Sequence, residues 1–296
     1  MVKRSIVWGI GVLMMLAAVG AFALDDAAIE RADALYDDDQ PQAALEILEE
    51  ALGTAANSAE RAEVLWRLAR ATLDVGEQQE DRGESEDTVL ATYVEGEEYG
   101  IQAVEADPNN HLGYYWQSAN IGKWGQRKGI LNALFKASPM RDLLRQAITV
   151  DPEHADSYYV LGQLYAEVPG IISFGNDDYG VSLARLSLAL HDQELASGER
   201  DEMNHDFYIQ LASHLIARDW NQRKRDREQE KKEEEYRQTR DVLERGWYYE
   251  GTIEIPNQDD KEEALGILRR MITSLEQISD RSDGENRQLA DARELL

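Results

Sequence analysis

The segment Ala147-Ile148-Thr149-Val150-Asp151-Pro152 decides the fold of this chain, because it repeats an earlier segment, Ala103-Val104-Glu105-Ala106-Asp107-Pro108. In each copy an alanine stands five residues before the proline, and a tyrosine (Tyr114 or Tyr158) stands six residues after it. Proline disfavours the helical conformation in the residue before it and has no N–H to donate, so Asp-Pro ends a helix. The small alanine lets two helices approach closely, and the tyrosine gives the next helix a large side chain to bury. The repetition therefore predicts stacked helix–turn–helix units.

The same organisation extends along the rest of the chain. Apolar residues recur at helical spacing in residues 27–52, 60–75 and 88–106, and Leu161-Gly162 and Tyr165 follow the second Asp-Pro. We interpret residues 76–87 as a polar, acidic loop or a frayed extension of the preceding helix. An alternating strand pattern occurs only at residues 252–255. The sequence therefore predicts an all-α fold, an α-solenoid of helical hairpins with a C-terminal helical extension.

Three regions are predicted. Residues 1–23 resemble an export signal, because Lys3 and Arg4 precede an apolar run that ends in the small-x-small pattern Ala21-Phe22-Ala23. We therefore expect cleavage after Ala23 and export to a periplasm; the alternative is an uncleaved segment that anchors the chain in a membrane. Residues 24–217 form the repeat domain. Residues 218–296 form a charged helix and the helical extension.

The charged helix is predicted at residues 218–245, where Glu, Lys and Arg dominate the sequence. Side chains of opposite charge that lie three or four residues apart can pair on one helix face. This pattern indicates a single long helix exposed to solvent.

The spacing of the packing residues resembles that of tetratricopeptide repeats. The interval from Pro108 to Pro152 is 44 residues, longer than the usual period of about 34, and we place the extra length at residues 123–139. Residues 91–215 resemble two more specific families, on the segments Tyr115-Trp116, Gly122-Lys123-Trp124 and Leu161-Gly162-Gln163-Leu164-Tyr165. One is the T component of tripartite ATP-independent periplasmic (TRAP) transporters, which implies association with a periplasmic solute-binding subunit. The other is the regulator-of-microtubule-dynamics type of repeat protein.

Composition excludes several functions. The net charge is −27, so the chain should repel nucleic acid and anionic membranes. It has no cysteine, which excludes disulfides, thiol catalysis and Cys-ligated zinc. We find no phosphate-binding loop, no nucleophile elbow and no metal-ligand spacing among the five histidines. We therefore predict a protein that is not an enzyme and that has no cofactor or metal.

A local reversal of charge provides the candidate site. Six cations between Lys123 and Arg145 are opposed only by Asp142, and aromatic residues lie beside them. Cations next to aromatic rings suit an anionic organic ligand or an acidic segment of a partner. The alternative is that these cations neutralise the chain's own acidic helices. The predicted binding residues are Tyr114, Tyr115, Trp116, Asn120, Lys123, Trp124, Arg127, Lys128, Lys136, Arg141 and Arg145; the six cations among them are called the basic island below.

A second candidate interface is the apolar loop at residues 168–174, which could instead fold back onto its own hairpin. Together these features predict an exported scaffold for protein–protein interaction, an accessory of a periplasmic solute-uptake system. Its expected partner is a periplasmic solute-binding subunit, with a small anionic or amphipathic solute as a further ligand. The alternative is an exported enzyme, or a protein that binds lipid or a small hydrophobic ligand in the pore between helices.

Overall fold

The computed structural model describes residues 26–171 and 173–296, and every regular element in those residues is helical. The predicted export signal at residues 1–23 lies outside the described residues. The α-helices are α1 (Asp26–Asp37), α2 (Pro41–Thr54), α3 (Ser58–Asp81), α4 (Glu86–Ala106), α5 (His111–Lys128), α6 (Ile130–Val150), α7 (Ala155–Glu167), α8 (Asp177–Ser197), α9 (Asp206–Arg218), α10 (Gln222–Gln238), α11 (Val242–Tyr248), α12 (Asp260–Gln277) and α13 (Asp283–Glu294). A 3₁₀ turn, Tyr249–Thr252, follows α11.

The helices stack in chain order. From α1 to α9 each helix packs against the next, and contacts between α3 and α5 and between α7 and α9 join successive hairpins. The predicted all-α helical-repeat fold is therefore confirmed. Among the described residues, no helix is long and apolar enough to cross a bilayer.

The two Asp-Pro segments end helices as predicted. Helix α4 ends at Ala106 and α6 at Val150, and the two aspartates that follow adopt extended backbone conformations. The Asp107 carboxylate accepts a hydrogen bond from the backbone N–H of Asn109 at 2.9 Å, and Asp151 accepts one from Glu153 at 3.0 Å. Each turn is therefore stabilised by its own aspartate, as expected of this residue in turns.

Helices α4 and α5 approach closely at two glycines of α4. A Cβ atom at Gly100 would lie 2.7 Å from the Cα atom of Gln117 in α5. At Gly96 a Cβ atom would overlap the side chain of Asn120. Glycine is therefore required at both positions where α4 packs against α5.

The extra length at residues 123–139 is helical. It extends α5 to Lys128 and forms the first half of α6, with Gly129 between them at a φ of 95° and Pro139 inside α6. Residues 76–81, predicted as a loop or a frayed helix, are the last turns of α3. There Tyr93 of α4 donates a hydrogen bond to the Glu80 carboxylate at 3.0 Å, so contacts between the two helices stabilise this end.

The prediction of one long exposed helix at residues 218–245 is wrong. Helix α9 ends at Arg218, α10 begins at Gln222, and a second break separates α10 from α11. Asp219 adopts a left-handed conformation at the first break, and Asn221 caps α10 by accepting a hydrogen bond from the Lys224 N–H at 3.0 Å. Three cations of this segment are also buried: Arg218 is 6% exposed, Arg225 1% and Lys232 4%.

The buried cations belong to an ion network that joins the C-terminal helices to the solenoid. Its members are Asp178, Arg185, Arg218, Arg225, Lys232, Glu250, Asp260 and Glu263. Glu250 lies at the centre, with nitrogen–oxygen distances of 2.8 Å to Arg185, 2.6 Å to Arg218 and 2.7 Å to Lys232. Four cations face four carboxylates, so the charges balance. The predicted division at residue 217 falls inside α9, one residue before that helix ends.

Candidate interaction groove

A groove with a volume of about 670 Å³ opens between α3, α5, α6 and α7. Most of the side chains that line it are apolar or aromatic. The five charged or amide side chains of the lining, called the rim below, are Lys123, Gln126, Lys136, Gln163 and Glu167. The apolar and aromatic side chains of the lining are Leu73, Tyr115, Trp116, Ala119, Ile121, Ala133, Leu134, Ala137, Met140, Tyr159, Val160, Leu164, Val168 and Pro169. An apolar, aromatic-lined concavity with few polar groups is the usual form of a binding site.

Helix α5 forms one wall of the groove. Tyr115, Ala119, Gly122 and Gln126 recur at intervals of three or four residues, so they share one helix face. The Tyr115 ring packs edge-on against Trp116 and against His154, each at a centroid distance of 4.9 Å. These contacts hold the aromatic wall in place.

The structure pairs most of the basic island with the chain's own carboxylates. Five of the six cations form ion pairs: Lys123 with Glu77, Lys128 with Glu86 at 3.1 Å, Lys136 with Glu97 at 3.5 Å, Arg141 with Asp142 at 2.8 Å, and Arg145 with Asp241. Arg127 is exposed and has no carboxylate partner among the described residues. These pairs are what the neutralisation alternative expects. Because exposed pairs contribute little to stability, the cations stay available to a ligand.

The basic island does not form one surface. Lys123 and Lys136 lie at the rim of the groove, whereas Arg145 lies in a different groove, beside α11. Its binding role stays a prediction for the cations at the rim.

Of the four predicted aromatic residues, two line the groove and two do not. Tyr115 and Trp116 line the groove. Trp124 packs against the cluster of Leu73, Val89 and Tyr93, with the Lys136 Nζ atom 5.4 Å from the centre of its ring. Tyr114 is half-buried and does not line the groove.

Asn120 cannot contact a partner, which corrects its place among the predicted binding residues. Its side chain is fully buried. The amide nitrogen donates to the backbone carbonyls of Ala69 at 3.0 Å and Trp116 at 2.9 Å. Asn120 therefore fastens α5 to α3, because a buried amide requires such partners.

Several groove residues were missed from the sequence. Tyr159 and Gln163 of α7 lie four residues apart, on a face different from that of the buried Tyr158, Leu161 and Tyr165. This second face of α7 could have indicated the groove from the sequence. A helix that carries aromatic or amide side chains away from its buried face presents them to another surface.

The apolar loop at residues 168–174 folds back at both ends. Val168 is buried and lines the groove, and the Phe174 ring lies 5.2 Å from that of Tyr165. Ile171 between them is fully exposed, and Ile172 lies outside the described residues. The loop ends therefore act as the predicted plug, and an interface at Ile171 stays a prediction.

No serine, cysteine or histidine lines the groove among the described residues. His111 and His154 lie behind Tyr115 with ring centroids 4.7 Å apart, and burial lowers the pKa of His154 to about 4. His154 is therefore neutral at pH 7. Within the described residues, no group of three or more His, Asp or Glu side chains is placed to hold a metal ion.

Comparison with known proteins connects residues 28–171 to one family. They match the family model of Regulator of microtubule dynamics protein 1-3. Over its N-terminal half, the chain is similar to the regulators of microtubule dynamics. Regulator of microtubule dynamics protein 1 from Bos taurus is 29% identical over 150 residues, which cover 51% of this chain and 44% of the bovine protein. The Mus musculus protein is 27% identical, and the match covers 53% of this chain and 50% of the mouse protein.

The chain thus spans about half the length of the curated relatives it matches. A solved structure of a thermophilic tetratricopeptide-repeat protein from Thermus thermophilus aligns with a TM-score of 0.48 at 19% identity, covering 77% of this chain and 98% of that protein. The resemblance to the regulator-of-microtubule-dynamics type is confirmed. The resemblance to the TRAP T component finds no support in these relatives.

The prediction of an exported, periplasmic protein is wrong. The relatives are regulators of microtubule dynamics from mammals, whose cells have no periplasm. The prediction rested on two basic residues, an apolar run and small residues. That pattern reports the hydrophobicity of an N-terminal segment and does not identify a compartment. The prediction of a periplasmic solute-binding partner depended on this location and is therefore not supported.

Proposed function

We propose that this chain is an interaction scaffold that binds an acidic, amphipathic segment of a partner protein in the groove. One observation carries the proposal: a mostly apolar, aromatic-lined groove of about 670 Å³ has Lys123 and Lys136 at its rim. A segment with apolar residues on one face would bury them against Tyr115, Trp116 and Tyr159. Recognition of an amphipathic helix in an apolar groove works in this way.

Lys123 and Lys136 give an acidic segment its pairing sites at this position, in exchange for Glu77 and Glu97. The chain carries a net charge of −27, so an acidic segment is repelled by most of its surface. At the rim it meets two lysine side chains about one-third exposed, 38% for Lys123 and 34% for Lys136. Such rim charges mainly raise the association rate and make it sensitive to salt.

Removing the rim charges tests the proposal. Peptides would be selected from a random displayed library against the wild-type protein and then measured by fluorescence anisotropy. We expect selected peptides to carry Asp or Glu beside apolar residues. The double variant Lys123→Met/Lys136→Met keeps the aliphatic stems of both side chains. It should bind the selected peptides about tenfold more weakly than the wild type, and its affinity should depend less on salt.

The control for this experiment is Lys231→Met. Lys231 is an exposed lysine of α10 that pairs with Glu228 at 2.8 Å. The variant therefore loses the same kind of ion pair at a position away from the groove. Its affinity for the selected peptides should equal that of the wild type. Equal affinity of the double variant would contradict the proposal.

A small hydrophobic or amphipathic ligand is the second candidate. The groove volume of about 670 Å³ lies within the range of about 300–1,000 Å³ that is usual for small-molecule sites. Native mass spectrometry of the purified protein would show a bound small molecule if this function holds.

A further inference from the structure

A second groove, separate from the first, lies between the C-terminal half of α6 and the start of α11. It is open and has a volume of about 950 Å³. Ile148, Thr149 and Pro152 form one side, and Arg240, Val242 and Arg245 the other. It is called the arginine groove below, because Arg145, Arg240 and Arg245 all line it.

The carboxylates of the arginine groove are already engaged. Asp241 pairs with Arg145, and it also caps α11 by accepting hydrogen bonds from the N–H groups of Leu243 at 3.0 Å and Glu244 at 3.2 Å. Asp142 pairs with Arg141 at 2.8 Å. Each of the two carboxylates therefore already has an arginine partner.

Two arginines remain without a carboxylate. Arg240 and Arg245 are exposed, and neither forms an ion pair with any described residue. The Arg245 guanidinium lies 5.0 Å from the centre of the Tyr236 ring, which restricts its position. In a chain of net charge −27, a groove with a surplus of guanidinium groups is a local site of opposite sign.

Guanidinium groups recognise phosphate through paired N–H donors, and clusters of them are the usual means by which proteins read a phosphorylated side chain. A lysine offers only a point charge, whereas the arginine fork matches two phosphate oxygens. We infer that the arginine groove binds a phosphorylated serine or threonine on a segment of a partner protein.

The surroundings favour a polypeptide over a membrane. Among the described residues the large exposed apolar side chains are Val94, Phe135, Ile171, Met203 and Leu296, and none of them lines the arginine groove. The arginine groove therefore has no large exposed apolar side chain that could insert into a bilayer. The net negative charge of the chain also repels an anionic membrane surface. An open groove beside the buried side chain of Ile148 can instead accept an extended chain on either side of the phosphate.

The test uses the full chain and two fluorescent peptide pools, one with a fixed phosphothreonine among random residues and one with threonine in its place. We expect the phosphorylated pool to bind at least about tenfold more tightly, the effect of one or two hydrogen bonds to a charged group. Both Arg240→Gln/Arg245→Gln and Arg240→Glu/Arg245→Glu should abolish that difference. Arg61→Gln and Arg61→Glu, at an exposed arginine of α3 without a carboxylate partner among the described residues, should preserve it.

Three results would overturn the inference. Equal binding of the two pools would show that the groove does not read phosphate. Loss of the difference in the Arg61 variants would show that only overall charge matters. Binding of anionic phospholipid vesicles that is lost in the arginine-groove variants, without preference for phosphopeptides, would assign the groove to a membrane. None of these variants alters Lys123 or Lys136, so failure here leaves the proposed function standing.

Discussion

Replacing Glu250 with glutamine is expected to lower the free energy of unfolding by about 3–5 kcal/mol, because it leaves buried cations without their counter-charge. Glu250 is 3% exposed and accepts hydrogen bonds from Arg185, Arg218 and Lys232. The neutral amide offers one oxygen in place of two, and its N–H groups oppose the guanidinium donors. Urea denaturation followed by circular dichroism at pH 7 measures the loss.

The control is Glu233→Gln in the same region. Glu233 pairs with Arg237 on the exposed face of α10, and the loss of such a pair should cost no more than about 1 kcal/mol. Equal losses for the two variants would show that the ion network does not hold the C-terminal helices in place.

The same network predicts how stability depends on pH. Burial raises the pKa of Glu250, but Lys232, Arg185 and Arg218 outweigh this effect and hold the pKa well below its usual range. A carboxyl group whose pKa is lower in the folded state contributes stability above its unfolded pKa and loses it as the pH falls. Wild-type stability should therefore decline below about pH 4.5, near the ordinary pKa of glutamate, and Glu250→Gln should weaken that decline.

Replacing Leu161 with alanine is expected to cost about 2–5 kcal/mol, because it leaves a cavity in a packed core. Leu161 has no exposed surface and belongs to the core cluster that contains Leu144, Ile148 and Tyr165. Tyr165→Ala should have a similar effect. Leu296→Ala is the control, since Leu296 is 55% exposed.

The neighbouring glycine gives an independent check of the same interface. A Cβ atom at Gly162 would lie 3.4 Å from the Ala184 N atom of α8, so the outer atoms of a leucine have no room. Gly53 has no atom within 4 Å of an added Cβ atom. Gly162→Leu should therefore destabilise the protein and Gly53→Leu should not; equal melting temperatures would mean that the assigned repeat register is wrong.

The helical repeat could be predicted because its signals are local. Asp107-Pro108 and Asp151-Pro152 end helices through the geometry of proline and through hydrogen bonds two residues away. Ala103 and Ala147, chosen as close-packing positions, are fully buried. The helix ends depend on residues within one turn of the chain, and the two alanines were identified because each stands at the same distance from its proline.

The ion network could not be predicted from local pattern. Arg225 pairs with Glu263, 38 residues further along the chain, and Arg185 with Glu250, 65 residues further along. In the sequence, Arg225 and Lys232 have nearby charges at helical spacing, as exposed residues do. Their burial depends on where α12 and the 3₁₀ turn dock, and no local signal reports that.

The candidate site was predicted in part. Tyr115, Trp116, Lys123 and Lys136 line the groove, because an aromatic and basic helix pair was visible in the sequence. The contribution of α7 was missed, because Tyr159 and Gln163 join the site only through the stacking of hairpins. Asn120 was assigned to the site although its partner, the Ala69 carbonyl, lies 51 residues away in the chain.

The most direct test of the groove is to fill it. Gln163→Trp places a large ring in the groove and removes only a surface hydrogen bond to Glu167 of 2.9 Å. Gln102→Trp is its match, because Gln102 is half-buried on α4 and donates to Glu98 at 3.2 Å outside the groove. With peptides selected against the wild type, we predict at least about a tenfold loss of affinity for Gln163→Trp and none for Gln102→Trp. Equal affinity of both variants would contradict binding in the groove.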